Sequence, residues 1–444
     1  MKKEDRDLKI ALRNYVEAIF LFLNENAPNT YSLRNLLNLL IPDTVHPDRE
    51  RQVPIYQLAE AQQYQKTIEE HPIVSQYLNS MVYTGFNGTR IGKLNVLKKF
   101  LETLIIRQRG LIIDSDKFDN VFELMMTYFK SPEVKVQLYS FLGNFHFWNE
   151  DTHELTNNWQ LVRIGKSLDD DWMGIKVNNE LWPHLRSWRG SALKKEIDMK
   201  KIILNPDTKE HAISEVRELP KIYRELVDEV DTIVTSFRLI KEGFLFHDNL
   251  DIQLVGWYPF LDPVESEKPN TSTPGTGYSF SIDDFSKLLE ILKLMTTMNM
   301  DRKFRVALRR LNFAVERDRL KPEDIILDGM IAFESLFGEE KAVSYRISLR
   351  TAMLLGNTIE DRKRIKKDLM TAYNLRSSII HGDQEKRINR ILEKWGLTIE
   401  QAGERITQLL RESLVKYLEL LKTNKTRKEV IVNLDERILS DSSI

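Results

Sequence analysis

The chain has 444 residues, 42% hydrophobic and 30% charged, with no cysteine and a formal net charge of −1. This length predicts two or three domains of an ordinary globular protein, and the absence of cysteine excludes disulfides, thiolate metal sites and cysteine nucleophiles. No apolar run approaches the roughly 20 residues that cross a bilayer, and the charged start at 1–6 is unlike a secretory signal. We therefore expect a cytoplasmic protein that does not enter membranes.

The N-terminal part of the chain shows helical spacing of its apolar residues. This spacing recurs over 10–23, 95–107 and 118–129, which predicts a helical region spanning 1–130. Residues 88–94 resemble a phosphate-binding loop, but the segment is one residue short of that motif and lacks the Ser or Thr that would hold magnesium. We therefore assign no nucleotide site to it.

The middle of the chain, residues 131–260, has the pattern of a mixed α/β region. Short alternating or β-branched stretches predict strands at 134–138, 159–164 and 252–257. A long helix is expected at about 214–240, which Pro220 should start or kink. Tryptophans are concentrated in this region, where core packing explains them better than base stacking. The histidines and acidic residues show no metal-binding spacing, so no metal site is expected.

A linker separates this region from the C-terminal third. Residues 261–280 hold three prolines and two glycines among Ser, Thr and Asn. Ser281 then predicts a helix N-cap with Asp284 at position N3, and helical patterns follow one another from there. These further helices are expected at 302–319, 323–337, 343–355, 361–381 and 398–423. The sequence therefore predicts a multidomain, mainly α protein in which residues 281–424 form a helical bundle and 425–444 form a tail.

The formal charge is distributed unevenly along the chain. Residues 301–424 hold 25 Lys and Arg against 19 Asp and Glu, a balance of +6, whereas residues 1–300 hold 36 against 43, a balance of −7. Two basic runs, at 302–310 and 362–367, are suited to contact phosphate groups, although such runs are more often solvated helix faces. The C-terminal third is therefore the expected place for a nucleic-acid partner.

Two chemically active side chains stand at the end of one predicted helix. His381 is its last residue before Gly382, and Arg376 precedes it by five positions. An imidazole there can move protons near neutral pH, and a guanidinium can grip a phosphate through its planar fork of donors. Five residues of ideal helix turn through about 140°, so the pair shares a site only if the helix end unwinds, Arg376 reaches around, or a second chain contributes its own copy. The structural alternative is a histidine that caps the helix, with Arg376 paired to a carboxylate such as Glu334.

Residues 304–383 resemble the Apea-like branch of the HEPN family. Four segments carry the likeness in the family's order: RVALRRLNFA at 305–314, LDGMIAFESLF at 327–337, LRTAMLLG at 349–356 and YNLRSSIIHG at 373–382. They correspond to the family's arginine-rich helix, its ALExL helix, its RxAxLL helix and its terminal YxxRSxIxHG helix. Phe333 stands where a leucine usually precedes the glutamate, which changes packing rather than chemistry. The likeness says little about residues 1–260.

The resemblance implies an α-helical HEPN bundle that dimerises through the helices bearing the Arg-x4-6-His motif and that cuts RNA without a metal or other cofactor. By this likeness His381 would act as general acid or base, Arg376 would stabilise the phosphate charge, and Ser377 would fill the polar position after the arginine. Four supporting residues complete the expected site: Glu334, Arg350, Asn374 and Asp383. Glu334 and Arg350 could each simply belong to an ion pair that orients the bundle.

Three functions remain open at this point. The first is a homodimeric endoribonuclease, plausible in prokaryotic defence or as a toxin-like enzyme, in which residues 1–280 meet a regulatory partner or ligand. It would leave a 2′,3′-cyclic phosphate and a 5′-hydroxyl. The second is a HEPN sensor module that binds RNA or a nucleotide without cutting it. The third is a dimerisation scaffold in which Arg376 and His381 are buried in paired contacts.

Overall fold

The computed structural model describes residues 2–26, 59–78, 80–84, 86–91, 93–108, 110–147, 151–164, 190–204, 209–259, 277–298, 300–317, 321–339, 341–382, 384–423 and 426–441. Within them the chain is mainly helical, as expected, and divides into two compact units. The first unit is formed by Met1–Ser140, Asn158–Val227 and Leu250–Lys268, and the second by Phe141–Asn157, Asp228–Asn249 and Pro269–Ile444. Each unit thus draws on three separated stretches, whereas the regions expected from the sequence are contiguous.

The helices of the first unit's N-terminal stretch confirm the expected helical region. They are α1 (Lys3–Asn26), α2 (Ala59–Glu69), α3 (Pro72–Ser75), α4 (Lys93–Gln108) and α5 (Ser115–Lys130). Their apolar faces meet in one buried core, to which α1 contributes Leu12 and Ile19, α4 contributes Phe100, and α5 contributes Phe118 and Met125. Helical spacing in the sequence predicts these elements because each one buries a single apolar face.

Two sheets belong to the first unit. In one, β1 (Met81–Thr84) pairs antiparallel with both β2 (Asn87–Arg90) and β8 (Ile202–Leu204). The strands of the other sheet follow a spatial order: β10 (Asp251–Leu254), β3 (Glu133–Gly143), β7 (Gly190–Lys200) and β6 (Trp159–Ile164). The three strands expected in the middle region are therefore present. The hairpin of β1 and β2 was not expected, and it places residues 88–90 on a strand rather than in a phosphate-binding loop.

The long helix expected in the middle region is α6 (Lys209–Ile240), which runs through Pro220 instead of starting there. Two of the tryptophans, Trp159 and Trp257, are buried, which confirms that they pack in the core. Three others, Trp148, Trp182 and Trp188, lie outside the described residues. No helix that the structure describes is long and apolar enough to span a membrane.

Lys201 of the first unit is a buried lysine beside two tyrosine rings. Its ammonium donates hydrogen bonds to the Tyr77 hydroxyl at 2.9 Å and to the Tyr128 carbonyl. It also lies 5.0 Å from the ring centroid of Tyr77 and 4.4 Å from that of Tyr128, which are cation–π distances. Burial lowers the pKa of Lys201 from its ordinary value of 10.5 to about 8, and it raises the pKa of Tyr77 to about 12. The stability of this unit therefore depends on pH.

We expect the free energy of unfolding to rise by about 1–2 kcal/mol as the pH increases from 8 to 10. In this window the unfolded chain keeps the Lys201 proton that the folded protein has released, so the unfolded state binds more protons. Urea denaturation at several pH values measures the rise. Lys201→Met should remove it, whereas Lys200→Met, at the exposed neighbouring position, should keep it. An equal rise in both variants would assign the effect to other groups.

The second unit contains a short parallel strand pair in an aromatic cluster. β4 (Phe145–Phe147) pairs with β11 (Tyr278–Phe280), while β9 (Phe246–His247) pairs with the end of β3, and β5 (His153–Glu154) is a further short strand. The linker expected at 261–280 was therefore wrong at its end, and the rest of it lies outside the described residues. Its Tyr278 and Phe280 are buried against Phe145 and Phe237, and this aromatic packing outweighs the local composition.

The remainder of the second unit is a helical bundle. Its elements are α7 (Phe285–Thr297), α8 (Arg302–Glu316), α9 (Pro322–Phe337), α10 (Val343–Leu355), α11 (Ile359–Ile380), α12 (Glu385–Trp395), α13 (Ile399–Leu421) and α14 (Arg427–Asp441). A capping box joins Ser281 and Asp284 at a 3₁₀ turn before α7, as the sequence predicted, and a second one joins Thr398 and Gln401 at α13. Helix α13 is central: it packs against α8, α9 and α10 through one apolar stripe.

Arg350 fastens the last helix to this bundle. Its side chain is only 3% exposed, and it donates to the two carboxylate oxygens of Asp435 on α14 at 2.8 and 2.6 Å. It also donates to the Phe337 carbonyl at 2.8 Å and lies 3.3 Å from the Glu339 carboxylate. A fork of this kind satisfies a buried guanidinium that would otherwise be costly. The segment expected as a tail is thus largely a docked helix.

Asp435→Asn should lower the free energy of unfolding of the second unit by about 1–3 kcal/mol, because Arg350 then stays buried with its charge only partly compensated. The figure is at the low end for a buried pair because Asp435 itself is 46% exposed. Urea denaturation followed by circular dichroism measures the loss, with Glu436→Gln, an exposed neighbour, as the matched control. Equal stability of the two variants would show that Glu339 and the Phe337 carbonyl are sufficient partners.

Candidate functional site

Helix α11 stays regular up to the residues that the sequence singled out. Thr358 caps its start by accepting from the backbone N–H of Asp361. At its end the His381 N–H donates to the Ser377 carbonyl at 3.0 Å, and Gly382 adopts a left-handed conformation with φ +62°. The helix therefore does not unwind before His381. Within one chain Arg376 and His381 remain about 140° apart around the axis.

Arg376 lies at an open cavity of about 580 Å³. The residues that line it come from four helices and the turn after α9: Lys303, Glu334, Gly338, Glu339, Val343, Tyr373 and Arg376. The Arg376 guanidinium is 3.3 Å from the Glu334 carboxylate and 5.8 Å from the ring centroid of Tyr373. Both members of the ion pair are about three-quarters buried. This is the pairing that the structural alternative anticipated, and it leaves part of the guanidinium facing the cavity.

His381 stands apart from this cavity. Its side chain is exposed, and its ring makes no hydrogen bond or ion pair with any residue that the structure describes. Ser377 is half-buried, Asn374 is exposed, and Asp383 lies outside the described residues. One chain therefore does not bring the expected catalytic residues together in one pocket.

Exposed apolar side chains occupy the arc of α11 between Arg376 and His381. Ile380 is 51% exposed and Met370 is 40% exposed, and helical geometry places both between the two polar residues. Ile359, at the start of the same helix, is also exposed. Ile380 and Met370 thus lie between Arg376 and His381 on the surface of this helix.

Arg350 does not belong to the candidate site. Its fork on Asp435 fixes α14 to the bundle. This is the structural role that the sequence left open for Arg350, and the ion pair with Arg376 is the corresponding contact of Glu334. Two cavity residues, Lys303 and Tyr373, were not assigned to the site from the sequence, although Lys303 lies in the basic run at 302–310 and Tyr373 begins the motif at 373–382. Only folding places Lys303 of α8 beside Arg376 of α11, because no local pattern records that proximity.

The charges around the cavity are mixed. Lys303 and Arg376 face Glu334 and Glu339, and Glu339 is held by ion pairs with Arg346 and Arg350. The basic runs continue outside the cavity: most cations of 302–309 are exposed on α8, and Lys363 and Lys367 are exposed on α11. A phosphate backbone would therefore meet positive charge on both helices.

No group of three or more histidine or acidic side chains in the described part of the chain is placed to hold a metal ion. Comparison with family models, with curated proteins and with solved structures found no match for this chain. The likeness to HEPN proteins therefore rests on the four sequence motifs.

A double-mutant cycle on Glu334→Gln and Arg376→Gln should give a coupling energy of about 0.3–1 kcal/mol, because the ion pair is partly open to solvent. Urea denaturation of the two single variants and the double variant provides it. Repeating the cycle with Glu360→Gln, which alters an acid on α11 outside the cavity, should give no coupling. A zero value for Glu334 as well would mean that the pair does not hold α11 against α9.

Proposed function

We propose that the protein is a metal-independent endoribonuclease of the HEPN type that acts as a homodimer. The observation that carries the proposal is the arrangement on α11: Arg376 opens onto a cavity with Lys303 and Tyr373, and His381 is exposed without a described partner at the end of the same helix. Cytoplasmic RNA would be the substrate, in a defence or toxin-like role. Residues 1–280 would provide the regulatory contacts.

The chemistry needs a proton acceptor, a proton donor and a group that neutralises the phosphate. One His381 imidazole would take the proton from the ribose 2′-hydroxyl, whose oxygen then attacks the phosphorus. Water would give a proton to the departing 5′-oxygen, and the imidazole would return its own proton to solvent. Arg376 would bind the non-bridging oxygens as their charge increases, and Glu334 would hold the guanidinium in position. The products are a 2′,3′-cyclic phosphate and a 5′-hydroxyl.

A second copy of the chain resolves the separation of Arg376 from His381. The exposed apolar arc with Ile380 and Met370 supports pairing of α11 with its equivalent, because burial of apolar surface drives association. In such a twofold arrangement His381 of one copy would approach Arg376 of the other.

The alternative is a module that binds RNA or a nucleotide without cutting it. The Arg376–Glu334 ion pair favours this alternative, since it occupies part of the guanidinium that phosphate stabilisation would use. The scaffold function has less support, because it requires a buried and paired His381 and the side chain is exposed in the single chain.

The wild-type protein should cleave a mixed RNA pool in the presence of EDTA, and His381→Ala and Arg376→Ala should each reduce the rate by at least about 100-fold. Analysis of the RNA ends should find cyclic phosphates. His146→Ala and Arg390→Ala, which change an exposed histidine and an exposed arginine elsewhere, should cleave like the wild type. Equal cleavage by all variants would refute the site, and RNA binding without cleavage by wild type would favour the binding module.

Co-expression of His381→Ala with Arg376→Ala tests the shared site. If one copy supplies the arginine and the other the histidine, the mixed dimer keeps one intact site and recovers up to about half of the wild-type rate per dimer. If each site lies within one chain, the mixture stays inactive. Inactivity of the mixed dimer together with an active wild type would contradict the twofold arrangement.

A further inference from the structure

The second unit buries an arginine whose terminal nitrogens have no protein partner among the described residues. Arg411 on α13 is only 8% exposed. Its Nε donates to the Arg238 carbonyl at 2.8 Å, and burial lowers the pKa of its guanidinium. The two other buried arginines of the unit are matched by acids: Arg238 pairs with Glu316 at 2.8 Å, and Arg350 pairs with Asp435. An unmatched buried guanidinium is costly, so its retention calls for an explanation.

Arg411 borders two cavities, one of about 320 Å³ and one of about 560 Å³. Glu242 borders both cavities as well, but no ion pair joins it to Arg411. The guanidinium therefore offers hydrogen-bond donors to a molecule that enters from either side.

The larger cavity has a small excess of positive charge in its wall. Lys287 of α7 lines it, is exposed, and has no described ion-pair partner. Two other lysines of its wall are already engaged: Lys241 pairs with Asp284, and Lys416 pairs with Glu419. The smaller cavity is less suitable because two arginines there face three glutamates, whereas the larger cavity has four cations against three, Glu242, Glu412 and Glu419.

The rest of the larger cavity suits an organic body. Four aliphatic residues contribute to its wall: Leu239, Ile240, Leu355 and Val415. A volume of about 560 Å³ lies within the range of pockets that hold small organic ligands. The cavity thus combines two available cations with an apolar surface.

We propose that this cavity binds a small organic phosphate, with Arg411 and Lys287 on the phosphate group and the aliphatic wall on the organic part. A phosphate monoester carries close to two negative charges at neutral pH and gains more from two cations than a carboxylate does. Arg411 supplies a planar fork at the buried end, and Lys287 supplies a point charge at the open end. The site is separate from the Arg376 cavity, so it does not rest on the nuclease proposal.

Isothermal titration of the full-length protein with inorganic phosphate, glycerol 3-phosphate and AMP tests the site, with butyrate as the carboxylate probe. At least one of the two organic phosphates should bind more tightly than inorganic phosphate. Butyrate should bind more weakly than that organic phosphate and than inorganic phosphate. Concentrations up to about 10 mM occupy even a site with a Kd near 1 mM. The proposal would be overturned if no phosphate probe bound at that concentration. It would also be overturned if butyrate bound more tightly than the phosphate probes.

Charge variants locate the bound phosphate. Arg411→Gln should weaken binding at least about tenfold and Lys287→Gln about threefold to tenfold, whereas Glu242→Gln should tighten it by removing the nearby negative charge. Lys293→Gln, which changes an exposed lysine on the same helix as Lys287, should bind like the wild type. If Arg411→Gln does not fold, the opposite effects of Lys287→Gln and Glu242→Gln decide. Unchanged binding in both of these variants would place the phosphate elsewhere.

Discussion

The regularity of α11 is the constraint on which the functional interpretation depends. Because the hydrogen-bond ladder continues to the His381 N–H, the rise and rotation of an α-helix fix where Arg376 and His381 can point. A frayed end would let both side chains enter one cavity, whereas the intact end keeps them on different faces. For Arg376 and His381 to act in one site, a second chain must then supply one of the two side chains. The apolar side chains between the two residues are compatible with that requirement, because a partner helix would cover Ile380 and Met370.

Three arginines in the described part of the second unit are buried, and their charges are compensated in different ways. Arg350 uses a bidentate carboxylate to hold α14, and Arg238 combines the Leu245 carbonyl with Glu316. Among the described residues, Arg411 has only the Arg238 carbonyl as a hydrogen-bond partner, on its Nε. A buried cation that merely filled space would be replaced by an apolar residue without loss, because desolvation of the charge exceeds what one neutral acceptor returns. The contrast between Arg411 and the other two arginines therefore favours an acceptor that is not part of the chain.

The helices of the bundle could be predicted from the sequence where the apolar spacing and the end signals lie within the helix itself. α10 and α13 have a continuous apolar stripe with a glycine end or a capping box, and their bounds agree closely with the sequence prediction. Helix α12 was not predicted because only one of its residues, Leu392, is buried. Helix α14 was not predicted because its docking depends on Arg350, 85 residues away in the sequence.

The candidate site was predictable to the same extent. The sequence indicated Arg376 and its partner Glu334. Lys303 and Tyr373 line the same cavity only because of the tertiary fold, which no local sequence pattern records. Helical periodicity already gave the angle to His381, and only the structure could show that the helix end does not unwind.

Helix α10 spans the distance between the two cavities of the second unit. Its first residue, Val343, lines the cavity of Arg376, and its last residue, Leu355, lines the larger cavity beside Arg411. The twelve residue steps between them correspond to about 18 Å of rigid helix. Beyond Leu355, the Gly356 carbonyl accepts from Arg362 at 3.1 Å, which ties the end of α10 to the first turn of α11. A ligand that favours one position of α10 would therefore act on both walls at once, in proportion to its difference in affinity for the two positions. By linkage, any coupling through α10 would be reciprocal: the RNA proposed for the Arg376 cavity and the phosphate proposed for the Arg411 cavity would change each other's affinity by the same factor.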